Sequence, residues 1–271
     1  MNIVNTKILD LNELIEACFN VYQEIGLHIG EPRTILLRKT ISHLECINVL
    51  IAEQFTHEIQ IILRSALESV VLFCYLTVFP NKQVEYIVDS ELLDIKSNFI
   101  KLKEFKKDIE IGNSYNIDWN QIVKAHEEVF KTSLSTTSKK YILEKLNMSK
   151  YEITEKNFAQ IDKFYRQDKK LRKPFFMDLE YMFSQLPPFK DLQADFRDLV
   201  FSDYNSSSQI THGHYHSWIR GMEIDEKFLN SVKSQLIKIV LYPLIYLPDK
   251  VNINKNNMLR LKYATDKLIV R

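Results

Sequence analysis

An arginine and a glutamate stand one helical turn apart in an otherwise apolar stretch of the chain. Arg64 and Glu68 are four residues apart, and the flanking segments 61–63 and 70–76 consist almost wholly of aliphatic and aromatic residues. An arginine can clamp a phosphate or another anion, and a glutamate can orient a histidine or act as a base. The pair is therefore the first candidate site, and we expect Glu68 to be desolvated. The alternative is a structural pair that ties two helices together.

A histidine cluster near residue 210 supplies candidate partners for this pair. If the segment is helical, Ser208, His212 and His216 lie on one face, because they follow at steps of four residues. Two histidines at this spacing can bind zinc, with Glu68 as a further ligand. Gly213 weakens the helix between them, however, and the glutamate that zinc proteases carry after the first histidine is absent. We therefore expect a hydrogen-bonded His212 beside the arginine–glutamate pair, with no metal and no other cofactor.

A short segment in the middle of the chain carries six basic residues with two aromatic residues among them. Such a patch can bind a phosphate backbone, with the aromatic rings available to stack on bases. The alternative is an ordinary solvated helix end and loop. The candidate nucleic-acid-binding residues are Lys163, Arg166, Lys169, Lys170, Arg172 and Lys173.

Composition excludes several common classes of protein. Lysine and arginine together number 36 and aspartate and glutamate 35, so no overall charge draws the chain to nucleic acid or to an anionic membrane. The chain has 5 glycines, and it carries no P-loop, dinucleotide fingerprint, nucleophile elbow or kinase signature. The sequence is therefore unlike the common nucleotide-dependent enzymes.

The cysteines and the apolar segments indicate a compartment. Cys18, Cys46 and Cys74 are widely spaced in apolar surroundings, which favours buried, reduced thiols over a disulfide framework or a zinc site. The apolar run 70–79 is shorter than the roughly 20 residues that span a bilayer. We therefore expect a cytoplasmic protein.

Helices must position these residues. Between residues 34 and 79 apolar side chains recur at steps of three and four, which is typical of helices. One helix of that length would exceed a typical domain at about 1.5 Å per residue, so we predict two helices with a break near Gln54 to Thr56, where Thr56 caps the second.

The remaining periodic segments predict an all-α fold, an antiparallel bundle of long helices with an inserted lobe of shorter ones. The predicted bundle comprises residues 1–111 and 189–271, and the lobe residues 112–188. We predict further helices over 9–27, 191–216, 225–247 and 255–270, and a helix or a pair of helices over 82–109. Short helices are predicted in the lobe near 118–131, 138–146, 154–166 and 178–186.

Two segments together resemble a known family. The segment from Ala52 to Glu68, with the later spacing Tyr204-x3-Ser208-x3-His212, is similar to the bacterial domain-of-unknown-function family 5677. The resemblance covers residues near 35–100 and 190–240. It implies an all-helical fold and one intramolecular site formed by Arg64, Glu68, Ser208 and His212. Similar members sit among bacterial defence and toxin-like genes, which implies a role directed at nucleic acid.

A weaker likeness concerns Arg38 and His43, which show the R-x4-H spacing of the HEPN (higher eukaryotes and prokaryotes nucleotide-binding) ribonucleases. In those enzymes the two residues act at a dimer seam on a ribose 2′-hydroxyl and the adjacent phosphate. The leading hypothesis is therefore a metal-independent ribonuclease of defence or toxin type. In it His212 is the general acid and base, Arg64 holds the scissile phosphate and Glu68 sets the tautomer and charge of the histidine.

Two other functions stay open. One is a non-catalytic module that binds protein or nucleic acid, in which the same residues form a structural polar lock. The other is a metal-dependent hydrolase that uses His212, His216 and Glu68. The expected partners are RNA, a protein bound through the 112–188 lobe and a second copy of the chain, and we expect no membrane association.

Overall fold

The fold was analysed in a computed structural model, which describes residues 9–29, 32–88, 90–91, 135–146, 179–187, 226–248 and 251–270. Within these ranges helices are the regular secondary structure, and no strand occurs. The predicted all-α class is confirmed.

Seven α-helices in the described residues have defined bounds, and their borders lie close to those predicted. A turn of 3₁₀ helix, Pro80–Lys82, follows the third, and residues 83–88 and 90–91 are also helical. The helices are α1 (Asn12–Ile29), α2 (Arg33–Ala52), α3 (Thr56–Val78), α4 (Thr136–Leu146), α5 (Leu179–Gln185), α6 (Glu226–Ile245) and α7 (Lys255–Val270).

The chain divides into two compact units. The first consists of Met1–Pro80 and Leu179–Arg271, and the second of Asn81–Asp178. The boundaries of the predicted 112–188 lobe stay a prediction, and the predicted helices at 118–131, 154–166 and 191–216 lie outside the described residues.

Helix α3 is the centre of the first unit. It packs against α2, α5 and α6, while α1 packs against α2 and α7. From Ser69 to Thr77 every side chain except Leu72 is buried, so this half of the helix is enclosed on nearly all sides. By length and composition α3 would also suffice to cross a membrane, a test that the buried core helix of a soluble protein passes equally.

The break between α2 and α3 is confirmed, but the predicted cap is wrong. Gln54 has a φ of 62°, a left-handed conformation that costs a non-glycine residue about 1–2 kcal/mol. This turn places Phe55 at the N-cap, where its carbonyl accepts a hydrogen bond from the Ile59 N–H at 3.1 Å. Thr56 therefore already belongs to the helix, one residue too late to cap it.

A buried tyrosine compensates for a proline inside α6. Pro243 has no N–H to donate to the carbonyl of Ile239, the usual acceptor four residues earlier. The Tyr22 hydroxyl of α1 lies 3.2 Å from that carbonyl oxygen and 3.1 Å from the oxygen of Val240. The hydroxyl therefore supplies the hydrogen bond that the proline removes, and it links α1 to α6.

The thiols of Cys18 and Cys74 lie near Tyr22. Burial raises the pKa of the Cys18 thiol to about 12, and burial also raises the pKa values of Tyr22 and Cys74. The protonated Cys74 Sγ lies 3.8 Å from the carbonyl oxygen of Tyr242, next to the proline. Both thiols therefore stay protonated at neutral pH and serve the core as weakly polar groups.

We expect Tyr22→Phe to lower the free energy of unfolding by about 1–3 kcal/mol, because the Ile239 carbonyl loses its donor in a buried position. In a Pro243→Ala background the new N–H of residue 243 can bond to that carbonyl, so the same substitution should cost less. Urea unfolding of the wild type, both single variants and the double variant measures this coupling. Equal costs in the two backgrounds would show that the hydroxyl does not compensate for the proline.

Candidate functional site

Helix α3 brings Arg64 and Glu68 into contact. The two residues are one turn apart, and Arg64 Nε donates a hydrogen bond to Glu68 Oε1 at 3.0 Å. The Arg64 side chain is 17% exposed and that of Glu68 is 39% exposed. The ion pair therefore reaches solvent while its backbone belongs to the central helix of the unit.

The expected desolvation of Glu68 is wrong. Ile61, Ser65, Glu68 and Leu72 follow one another at steps of four, three and four residues, and all of them retain contact with solvent. They form the one side of α3 that neighbouring helices do not cover fully. The sequence does not reveal that this side is accessible to solvent, because Ile61 and Leu72 are aliphatic like the buried residues of the helix.

The contact between Arg64 and Glu68 lies within one helix. An i, i+4 ion pair of this kind stabilises the helix that carries it and does not by itself join two helices. The alternative from the sequence was a structural pair that ties two helices together. The hydrogen bond between Arg64 and Glu68 does not form such a link.

The other predicted site residues lie outside the described part of the chain. These are Ser208, His212 and His216, together with the basic set Lys163, Arg166, Lys169, Lys170, Arg172 and Lys173. Their proximity to Arg64 and their roles stay predictions.

The R-x4-H pair occupies α2, but its two side chains point in different directions. Five residues of helix correspond to a rotation of about 140° between the side chains. Arg38 is exposed, whereas His43 is half-buried and its Nδ1 has no hydrogen-bond partner. Burial, with a smaller contribution from the charge of Lys39, lowers the pKa of His43 to about 4. His43 is therefore neutral at neutral pH.

No group of three or more potential metal-binding side chains occurs among the residues whose placement is described. The cysteines are free: Cys18 and Cys74 are buried, but Cys46 is exposed. The expectation of a buried thiol is therefore wrong at Cys46, which lies on the outer side of α2, away from the buried face formed by Leu44 and Ile47.

An apolar pocket between α2 and α3 was not predicted. Its volume is about 530 Å³, within the range of small-molecule sites. The sequence signal for it is the aliphatic residues Val49 and Ile61, which fall outside the three- and four-residue spacing of the buried positions. The lining residues are Glu45, Cys46, Val49, Leu50, Glu58, Ile61 and Ile62.

We expect a small coupling energy between Arg64 and Glu68. A double-mutant cycle with Arg64→Ala and Glu68→Ala should give about 0.3–0.5 kcal/mol, since the pair is intrahelical and reached by solvent. The cycle of Lys140→Ala and Glu144→Ala, another i, i+4 pair, on α4, is the matched control. A coupling of several kcal/mol at Arg64 and Glu68 would contradict this description and identify a buried lock.

We expect His43 to make the protein less stable as the pH falls from about 6.5 to about 4. Because the folded state holds the pKa of His43 near 4 and an unfolded histidine titrates near 6.5, the unfolded chain binds the extra proton first. His43→Gln should flatten the plot of unfolding free energy against pH in that window. His28→Gln, at an exposed position of α1, is the control; an equal change in both variants would refute the assignment to His43.

Comparison with known proteins places these residues in a family. Residues 32–228 match a family of unknown function (DUF5677), and the matched region contains α2, α3 and the Arg64–Glu68 pair. No curated protein and no solved structure matches the chain. The likeness to HEPN ribonucleases has no support in these comparisons. The match spans most of the chain, which therefore belongs to this family of unknown function.

Proposed function

We propose that the chain is a metal-independent endoribonuclease of bacterial defence or toxin type that acts in the cytoplasm. The observation that supports the proposal is the Arg64–Glu68 ion pair. It fixes a guanidinium on the central helix of the unit at a point that solvent reaches. A rigid, accessible guanidinium is suited to hold a phosphate, because its planar donors match two phosphate oxygens.

Each residue of the proposed site has a distinct task. His212 takes the proton from a ribose 2′-hydroxyl, which then attacks the adjacent phosphorus, and gives a proton to the departing 5′-oxygen. Arg64 stabilises the negative charge that develops on the phosphate oxygens. Glu68 orients the guanidinium through its 3.0 Å hydrogen bond, and it also favours the protonated form of a nearby histidine. Ser208, four residues before His212 in the sequence, is the fourth residue of the proposed site.

Binding of the RNA backbone is assigned to the basic segment, Lys163 to Lys173. Its six cations would bind phosphates through contacts that depend on salt rather than on base sequence. The proposed enzyme is therefore selective for single-stranded or looped RNA by shape, with the two aromatic residues of the segment stacking on bases.

The test is cleavage of a fluorescent RNA by the purified full-length protein in the presence of EDTA. We expect His212→Ala to lower the rate by about 10²–10⁴-fold, as removal of a general acid or base does. Arg64→Ala should lower it by about 10²–10³-fold, with Arg64→Lys recovering only part, since lysine lacks the planar donor pair. Arg260→Ala, which removes an exposed arginine of α7, should leave the rate unchanged.

Three outcomes would contradict this proposal, and each would support a different function. Unfolding of both His212→Ala and Arg64→Ala, seen as lost helicity, would make the cluster a structural polar lock. RNA binding without cleavage by the wild type, with all variants folded, would identify a non-catalytic binding module. Cleavage that EDTA abolishes and zinc restores would indicate a metal-dependent hydrolase.

A further inference from the structure

The outer face of α2 exposes aliphatic residues in a regular stripe. Ile35 and Val49 are 50% and 61% exposed, and the exposed Ser42 lies midway between them. Successive positions are seven residues apart, which brings each to within about 20° of the next around the helix. These two exposed aliphatic side chains, together with the apolar pocket that adjoins Val49, form an apolar surface of the kind that marks interaction sites.

Charged residues flank this stripe in a fixed arrangement. Arg38 and Glu45 each follow a stripe residue by three positions, so they lie on one flank; Lys39 and Cys46 follow by four and lie on the other. All four residues are exposed. In the part of the chain that the structure describes, Arg38 and Glu45 take part in no ion pair.

The stripe is nearly symmetric about its central serine. Ile35 and Val49 are equally far from Ser42 on either side, and the opposite charges of Arg38 and Glu45 are four and three residues away. When two identical helices cross antiparallel about a two-fold axis, each flank meets the same flank of its counterpart. An axis at Ser42 therefore sets Ile35 opposite Val49 and Arg38 opposite Glu45, each pair occurring twice.

The apolar pocket extends this surface toward α3. Val49, on the stripe, is part of its wall, and Ile61 and Ile62 form the side contributed by α3. The pocket has a volume of about 530 Å³ and is lined mainly by apolar side chains. The charged residues in its lining are two acids, Glu45 and Glu58. An aliphatic side chain placed opposite Val49 would enter the mouth of this pocket, and the same helix would bring a cation to Glu45.

We propose that this face of α2 is an interface between two copies of the chain, paired antiparallel about Ser42. In the dimer Ile35 of each copy covers the pocket beside Val49 of the other, and Arg38 of each copy pairs with Glu45 of the other. We infer a second copy as the partner because this surface is complementary to itself. It carries the aliphatic side chain of Ile35 as well as the pocket that receives it, and the cation Arg38 as well as the anion Glu45.

The ion pairs give a direct test by charge reversal in the full-length protein. Arg38→Glu sets two glutamates opposite each other, and Glu45→Arg sets two arginines opposite each other, so each should weaken dimerisation by on the order of tenfold. The double variant Arg38→Glu/Glu45→Arg restores opposite charges and should return the dimer to nearly wild-type affinity. Lys262→Glu, on the exposed side of α7, makes the same change in net charge as Arg38→Glu and should have no effect.

Sedimentation equilibrium measures these dissociation constants. A wild-type protein that stays monomeric up to roughly 100 μM, the weak end of specific association, would overturn the proposal. Additive weakening in the double variant, without recovery, would overturn the predicted pairing. Helicity measured by circular dichroism must be unchanged in each variant, and recovery in the double variant excludes misfolding as the cause of a single-variant loss.

The position of the axis has its own test. In a Cys46→Ser background, Ser42→Cys places one thiol from each copy at the axis, and a short bis-maleimide should join them into a covalent dimer. Gln23→Cys, at an exposed position of α1, is the control and should give little product. Cross-linking of Gln23→Cys but not of Ser42→Cys would show that the copies meet elsewhere and would overturn the axis at Ser42.

Discussion

The burial of the second half of α3 is the constraint on which the first unit depends. From Ser69 to Thr77 this helix is enclosed by its neighbours, and a fully buried aliphatic or aromatic side chain stabilises the folded state by about 1.5–3 kcal/mol. A helix enclosed in this way fixes the positions of α2, α5 and α6, which pack on it. Charged groups are confined to its first half, and that half therefore carries the candidate site.

Several polar groups in this core form hydrogen bonds that offset the cost of their burial. The Tyr22 hydroxyl donates to the Ile239 carbonyl, which Pro243 leaves without its helical donor, and the Thr77 hydroxyl donates to the Phe73 oxygen of its own helix at 2.8 Å. Far from the core, Glu24 of α1 accepts a hydrogen bond from the N–H of Asn254 at the start of α7. The negative charge there also favours the N-terminus of the helix.

The α2–α3 hairpin combines two kinds of surface. One side of α3 exposes the Arg64–Glu68 pair, and the outer face of α2 exposes the stripe centred on Ser42, with the apolar pocket between the two helices. The left-handed turn at Gln54 sets how the helices lie beside each other. Both surfaces fall within the part of the chain that matches the family, so the hairpin carries the proposed interface together with Arg64 and Glu68 of the proposed site.

Within the described residues, the sequence by itself determined where the helices lie and where α2 and α3 separate, because apolar periodicity and turn residues act locally. The last helix was predicted at its observed bounds, and the break at 53–55 was placed correctly. It also determined that Arg64 and Glu68 meet, since four residues make one turn. Tertiary structure alone decided which sides of the helices stay in water. Glu68 and Cys46 keep contact with solvent although their apolar neighbours indicated burial, because burial depends on the helices packed alongside and not on the residue type.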